Sequence, residues 1–501
     1  MKLAKSNLLL HSTTAETINN MEIIQNYIGG KLIAPCSESY LDNVNPATGK
    51  IYSQIPDSDQ KDIDLAYEAA EAAKESWANT PKQKRSDILM KIADLIDQNL
   101  DLLAKAESID NGKPVKLATR VDIPRASSNM RFFATGILHY SNESHDMDGT
   151  AINYTLRKPI GVVGCISPWN LPLYLFTWKI APALASGNCV VAKPSEVTPM
   201  TAYLFSKLCI EAGLPAGVLN IVHGLGGKVG GAMTSHPKIK AISFTGGTST
   251  GKIIAAVAAP MFKKLSLELG GKNPNIIFAD CDFDKMLNTT IHSSFANQGQ
   301  ICLCGSRIFV ERPIYEKFKT AFIEKVERMR VGNPLAEDSN MGAIVSKDHK
   351  EKVLSYVALA KEEGGTVLTG GHEVQLEGEN KDGFFIRPTV IEGLAFDCRT
   401  NQEEIFGPVV TIMPFDTEEE VTMMANSTQY GLAATVWTES VSKATRMGKN
   451  LESGIVWVNC WLVRDLRTPF GGVKNSGVGR EGGFHAFNFF TEPTNVCIAL
   501  D

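Results

Sequence analysis

From Ile160 onward the sequence takes on a texture that few folds accommodate. Short apolar runs punctuated by glycine, namely Gly161-Val-Val-Gly-Cys-Ile166, Asn188-Cys-Val-Val-Ala-Lys193, Val218-Leu-Asn-Ile-Val-His-Gly224 and Ala241-Ile-Ser-Phe-Thr-Gly-Gly247, alternate with segments of helical apolar spacing. Strands buried on both faces read this way, and strand-helix-strand crossovers build parallel sheets. A second alternating block begins near Pro274 with Asn275-Ile-Ile-Phe-Ala-Asp280, continues through helices to Met329, and resumes with strands near Thr389 and Val409 and a helix near Glu418. The expected fold class is α/β, with doubly wound parallel sheets in two domains. Ligands in such sheets bind beyond the carboxyl ends of the strands.

The rest of the chain frames these blocks. Gln25–Lys31 and Asp42–Lys50 read as short strands joined by turns, forming an outer edge. Ile63, Ala66, Ala70, Ala73 and Trp77, then Ile88, Ile92, Leu95 and Ile96, predict two amphipathic helices between Asp59 and Ser108, and Asp122–Tyr140 reads as a third. From Thr150 to Pro159 the alternation of Ile152, Tyr154 and Leu156 with polar residues predicts an exposed strand, of the kind that extends a sheet in a partner subunit. Asn488–Leu500 reads as a polar, strand-like tail. Met1–Asn20 has a three-leucine run but no apolar segment of secretory length, and is expected to be a flexible extension, with a weak organellar signal as the minority reading and Met21 as an alternative start.

Charge and cysteines narrow the function. A net charge of −5 without a long basic block argues against nucleic acid and against electrostatic membrane attachment. The apolar run Ile160–Ile166 is too short to span a bilayer. Ten cysteines are scattered without C-x-x-C pairs or Cys/His ligand spacing, which suits a reducing compartment, here taken as the cytoplasm, and no metal.

The stretch Phe295-Ala-Asn-Gln-Gly-Gln-Ile-Cys-Leu-Cys-Gly-Ser-Arg307 places Cys302 among glycines and amide residues. A carbonyl approaching a thiolate needs that openness, and the thiol needs a base or donors to become a thiolate. Phe244-Thr-Gly-Gly-Thr-Ser-Thr-Gly251 runs a buried strand into glycines and helix-capping hydroxyls, so a helix N-terminus can meet a phosphate; an ordinary strand-helix turn reads the same way. The glycines at 224–230 lack dinucleotide-fingerprint spacing. Lys193-Pro-Ser-Glu196 sets a carboxylate at a strand end, where it can accept two ribose hydroxyls and repel a 2′-phosphate, favouring NAD over NADP.

Together, Ser167-Pro-Trp-Asn-Leu-Pro172, Lys193-Pro-Ser-Glu196, Phe244-Thr-Gly-Gly-Thr248, Leu267-Glu-Leu-Gly-Gly-Lys-Asn-Pro274, Gln298-Gly-Gln-Ile-Cys302, Glu403-Glu-Ile-Phe-Gly-Pro408 and Pro469-Phe-Gly-Gly472 resemble the NAD(P)-dependent aldehyde dehydrogenase superfamily over roughly Ile24–Thr494. The resemblance implies an NAD-binding domain (21–138 and 160–267), a catalytic domain (268–480) and a β-strand oligomerisation arm (139–159 and 481–501), assembled as a homodimer or homotetramer. It implies Cys302 as nucleophile, Asn170 and the Cys302 N–H as oxyanion donors, and Glu268 as the base that activates water to hydrolyse a thioester. It further implies a cofactor cradle of Ile166, Ser167, Pro168, Trp169, Lys193, Ser195, Glu196, Gly226, Gly230, Phe244, Thr245, Gly246, Gly247, Thr248, Leu269, Gly270, Glu404 and Phe406. Gly247 departs from the commoner serine.

Arg464 lies just before Pro469-Phe-Gly-Gly472, and an arginine there suits a carboxylate-bearing substrate. Arg120 is its candidate partner, with Trp178 and Phe470 lining the pocket. These segments most resemble the 2-aminomuconate and 2-hydroxymuconate semialdehyde dehydrogenases, a branch whose animal members include proteins described as retinal dehydrogenases. The alternatives are intraprotein ion pairs of the arginines with Asp122 or Asp465 and a broad aldehyde or retinal pocket; transfer of the acyl group to coenzyme A; a cysteine hydrolase without cofactor; and a non-catalytic NAD-binding protein, which would be expected to have lost Cys302, Asn170 or Glu268.

Overall fold

A computed structural model of the protein describes residues 21–500. The extension expected at residues 1–20 lies outside the described residues. Two large sheets carry the architecture. The first has eight strands in the order Gly477–Val478, Lys264–Glu268, Ala241–Thr245, Val162–Ile166, Cys189–Lys193, Leu219–Ile221, Asn26–Ile28, Lys31–Ile33. Its five inner strands from Lys264–Glu268 to Leu219–Ile221 run parallel, and both edges are finished by antiparallel strands. The second has seven strands, in the order Thr366–Thr369, Thr389–Glu392, Val409–Phe415, Arg307–Glu311, Pro274–Ile277, Ala433–Trp437, Ile455–Val458, all parallel except the first. Every residue of Val162–Ile166 and Cys189–Lys193 is buried, as crossover helices on both faces require.

The amino-terminal strands divide between two places. Asn26–Ile28 and Lys31–Ile33 form a hairpin on the edge of the eight-stranded sheet, whereas Tyr40–Asn45 pairs with Lys50–Pro56 in a small separate sheet. The expected pair of helices between Asp59 and Ser108 is three: Gln60–Ala78, Lys82–Gln98 and Leu100–Asn111. The periodicity passes through Asn99, which caps one helix and begins the next, so apolar spacing alone does not mark the break. The helix expected from Asp122 begins earlier, with a π-helical turn at Ala118–Asp122 leading into Ile123–Gly136.

The helix Gln60–Ala78 starts where Asp59 accepts the Lys61 N–H and Asp62 returns the contact to the Asp59 N–H. Its stripe of Ile63, Ala66, Ala70, Ala73 and Trp77 is buried in the core of the eight-stranded sheet, and the Trp77 indole donates to the Leu184 carbonyl at 3.1 Å. A third sheet stands apart: Ala151–Pro159 pairs along nine residues with Thr491–Ala499, and Ser144–Asp146 covers its other edge. Its face exposes Ile152, Leu156 and Ile498. Among the described residues no helix is long and apolar enough to cross a membrane.

Trp77→Ala deletes a fully buried indole and its hydrogen bond. Urea unfolding should register a loss of roughly 3–5 kcal/mol, with the m-value unchanged.

Candidate active site

The carboxyl ends of four adjacent parallel strands converge on one groove. Val162–Ile166 runs into Ser167-Pro168-Trp169-Asn170, Cys189–Lys193 into Pro194-Ser195-Glu196, Ala241–Thr245 into Gly246-Gly247, and Lys264–Glu268 into Leu269-Gly270. A cavity of about 610 Å³ opens there, lined by Ile166 to Trp169, Lys193, Ser195, Glu196, Gly226, Gly230 and Phe244 to Gly247. Gly247 is the N-cap of the helix Thr248–Ala258. Thr248 instead turns its hydroxyl toward the Asn475 carbonyl, and Thr250, Ile253 and Val257 supply that wall.

Glu196 is held in this groove by Lys193 Nζ at 2.8 Å and by the Gly226 N–H at 3.0 Å. Burial opposes its charge, but these two donors outweigh it and keep its pKa below the ordinary carboxyl value.

A neighbouring cavity connects the groove to Cys302 and is lined by Pro168, Trp169, Asn170, Thr245, Gly246, Gly247, Leu269, Gly270, Glu404 and Phe406. Glu404 Oε1 accepts the Gly271 N–H at 2.9 Å, and its other oxygen lies where any Cβ on Gly270 would sit. That glycine is required by close approach. Phe406 adopts a left-handed backbone and meets Trp169 edge to face at 5.3 Å. Two residues without a sequence signal also line this cavity. His349 Nε2 donates to the Phe406 carbonyl at 2.7 Å, and burial lowers its pKa to about 4; Lys352 donates to the Glu404 carbonyl at 3.2 Å. Both lie on the helix Lys347–Glu362, whose charged start reads as a solvated face.

Cys302 sits where this cavity meets a second, largely apolar tunnel lined by Leu171, Tyr174, Trp178, Glu268, Leu269, Leu303, Leu432, Arg464 and Phe470. Asn297 and Gln298 are left-handed, and Gly299 has no room for a Cβ against the Gly407 carbonyl, so the segment before Cys302 is bent tightly. Asn273 fixes the segment after it, donating to the carbonyls of Cys302 at 2.7 Å and Cys304 at 2.9 Å. Cys304 points away from the tunnel into the cluster of Ile301, Leu303, Trp457 and Trp461, where burial pushes its thiol up to about 12. It is a packed neighbour.

Both proposed reacting groups rest in their neutral forms. Burial pushes the Cys302 thiol far above its ordinary value, and the carboxylates of Glu404 and Glu268 add to this. Burial and the nearby Glu481 likewise raise Glu268, neither of whose side-chain oxygens has a hydrogen-bond partner. Burial that disfavours the charged carboxylate also strengthens it as a base, so Glu268, once ionised, is suited to take a proton from a thiol or a water in this cavity.

Asn170 is caged from behind. Its carbonyl accepts from Lys113 Nζ at 3.0 Å and Asn297 Nδ2 at 2.8 Å, and its own amide donates to the Gln300 carbonyl at 3.0 Å. Lys113 is fully buried against Asp122 and lies 3.6 Å from Glu107, whose pKa burial raises to about 8. Glu107 in turn accepts the Leu173 N–H at 3.2 Å.

The two arginines separate. Arg464 lies in the tunnel, its guanidinium 3.8 Å from the Phe470 ring centroid and 4.3 Å from that of Trp178, with Nη1 on the Tyr174 hydroxyl at 2.9 Å and Nη2 buried without a partner. Arg120 is exposed and lines an outer cavity that shares Leu117, Val121, His292 and Ala296 with the tunnel. The ion pairs envisaged with Asp122 and Asp465 do not form: Lys113 takes the first and Arg467 the second. Among the described residues no cluster of His, Cys, Asp and Glu is placed to hold a metal.

The sequence profile of the aldehyde dehydrogenase family matches residues 33–496, and the chain belongs to that family. It is an oxidoreductase acting on the aldehyde group. A 2-aminomuconic semialdehyde dehydrogenase of Danio rerio is 50% identical over 95% of this chain and 98% of its own length. A 2-hydroxymuconic semialdehyde dehydrogenase of Pseudomonas sp. strain CF600 is 46% identical over 96% of this chain and 100% of its own. Among solved structures, an NAD+ complex of aldehyde dehydrogenase from Bacillus cereus superposes with a TM-score of 0.93 at 39% identity, covering 96% of this chain and 97% of that one.

Lys113→Met would strand two buried carboxylates without their cation, and thermal or urea unfolding should show a loss of roughly 3–5 kcal/mol. The raised pKa of Glu268 means that the native state binds a proton the unfolded chain releases once the pH exceeds the ordinary value of 4.5. Stability from this residue therefore falls as pH rises, and Glu268→Gln should gain stability on wild type progressively as the pH is raised above about 5. The same variant should lose roughly 10²-fold or more in kcat.

Proposed function

We propose that the protein oxidises a carboxylate-bearing aldehyde of the muconic semialdehyde class, such as 2-aminomuconate 6-semialdehyde, to the carboxylic acid with NAD. The observation that carries the substrate class is Arg464, a half-buried guanidinium that makes no ion pair among the described residues and leaves Nη2 without a partner, in the same tunnel as Cys302 and Glu268. A cation there complements an anionic end and costs desolvation against a neutral one. The names of the zebrafish and Pseudomonas relatives point the same way.

The groove fits NAD. Its floor is glycine at 226, 227, 230, 231, 246 and 247, where side chains would fill the space. Glu196 and Lys193 would hold the adenosine ribose, with Glu196 rejecting a 2′-phosphate; Glu404 and Phe406 would hold the nicotinamide ribose and ring, with Lys352 and His349 beside them. NAD supplies the hydride acceptor when bound.

Glu268, once it has released its own proton to solvent, takes the Cys302 proton and releases that in turn, and the thiolate adds to the aldehyde carbon. The oxyanion formed accepts from Asn170 Nδ2 and the Cys302 N–H. Loss of hydride from the carbon leaves a thioester on Cys302. Glu268 then takes a proton from water as its oxygen attacks the thioester, and the carboxylic acid leaves as the thiol is regenerated.

The same reading places residues 21–138 and 160–267 in a cofactor domain, 268–480 in a catalytic domain, and the strands at 139–159 and 481–501 in an arm that joins copies into a homodimer or homotetramer. The exposed Ile152, Leu156 and Ile498 on the arm support it. Ten free thiols support a cytoplasmic setting.

NADH formation tests the proposal, with a muconic semialdehyde, retinal and a short aliphatic aldehyde as substrates. The muconic semialdehyde should give the highest kcat/KM. Arg464→Leu should reduce it about 10²-fold while sparing the aliphatic aldehyde, and Cys302→Ala should abolish all three. Equal rates on all three substrates would refute the carboxylate reading.

A further inference from the structure

The tunnel borders a second cavity along Leu117, Val121, His292 and Ala296. The charge of this cavity, of about 570 Å³, is one-sided: Lys116, Arg120, Lys325 and Arg328 line it, and no carboxylate does. Arg328 is engaged by Glu324, but among the described residues Lys116, Arg120 and Lys325 form no ion pair. Lys116 Nζ donates to a carbonyl, that of Glu337, at 3.2 Å. This concentration of cations belongs to a chain whose formal net charge is −5.

Two segments distant in sequence supply these charges. Lys116 and Arg120 lie in the turns before Ile123–Gly136, and Lys325 lies in the last turn of the helix Tyr315–Glu327, where its charge also favours the helix terminus. A helix-terminal role accounts for Lys325 alone. It does not account for one cavity, adjoining the tunnel, that all three line.

We infer that this vestibule is an anion-collecting antechamber, which draws carboxylate-bearing aldehydes to the tunnel mouth and raises their local concentration ahead of Arg464. The inference rests on the proposed carboxylate substrate and adds to it a second, outer site with its own residues. A concave wall of one sign with apolar surface below focuses field lines, and its effect on association falls with ionic strength. Arg464, half-buried in the tunnel, is screened less.

The test uses the purified full-length enzyme with NAD, a muconic semialdehyde and a short neutral aldehyde, with kcat/KM measured from about 20 to about 500 mM NaCl. The variants are Lys116→Gln, Lys325→Gln and Lys325→Glu, all outside the tunnel and the cofactor groove. For wild type, kcat/KM on the anionic aldehyde should fall with salt while that on the neutral aldehyde stays flat. Each neutralisation should lower the anionic kcat/KM at low salt about threefold, and the reversal about tenfold, through KM, with a shallower salt slope and an unchanged neutral-aldehyde rate.

Variants that keep the wild-type kcat/KM and salt slope would overturn the antechamber, as would losses that fall equally on both aldehydes. If wild type shows no preference for the anionic aldehyde even at low salt, the proposed substrate class fails as well. If that preference stands, is lost in Arg464→Leu and ignores Lys116 and Lys325, only the antechamber fails.

Discussion

The site depends on an edge strand that arrives from far along the chain. Gly477–Val478 pairs antiparallel with Leu267 and Glu268, closing the parallel sheet beside the proposed base. The approach is so close that Gly477 has no room for a Cβ against the Leu267 carbonyl, and a Cβ on Gly471 would come within 2.7 Å of Glu268 Oε1. Glu268 is consequently 4% exposed and unpartnered. Its raised pKa follows from that enclosure, and the carboxylate formed there when the proton leaves is a stronger base than an exposed one.

Behind the site, buried charge does the holding that apolar packing does elsewhere. Lys113, Glu107 and Asp122 stand in the interior between the amino-terminal helices and the Asn170 turn, and each costs desolvation that only mutual pairing offsets. The directional contacts they make are what a hydrophobic cluster cannot provide. The Asn170 carbonyl and the first free N–H of the following helix are both fixed by this set, so the amide that faces Cys302 stands on a rigid turn.

Much of this was legible in the residues. The glycine-punctuated apolar runs predicted parallel strands because burial on both faces leaves no alternation, and Phe244–Gly251 predicted a strand running into a helix N-terminus, which Gly247 and Thr248–Ala258 form. Helix boundaries were less legible: the two helices that meet at Asn99 share one apolar rhythm. Distances between far segments were not legible at all. Nothing in Arg120 and Arg464 announces that one lies in the tunnel and the other outside it. His349, Lys352 and Lys113 gave no signal either, since a charged helix start and a lone lysine read as solvated until tertiary packing buries them.

The nine-residue pairing of Thr491–Ala499 with Ala151–Pro159 joins strands more than three hundred residues apart. During synthesis the partner strand waits through the translation of both large sheets before its complement leaves the ribosome. The chain thus has an intrinsic order of assembly: the cofactor-side strands can pair early, whereas the strand beside Glu268 and the arm are completed only near the end. A chain interrupted before residue 477 would carry Cys302, Asn170 and Glu268 yet lack the enclosure that tunes them, and premature fragments are therefore built without a finished site.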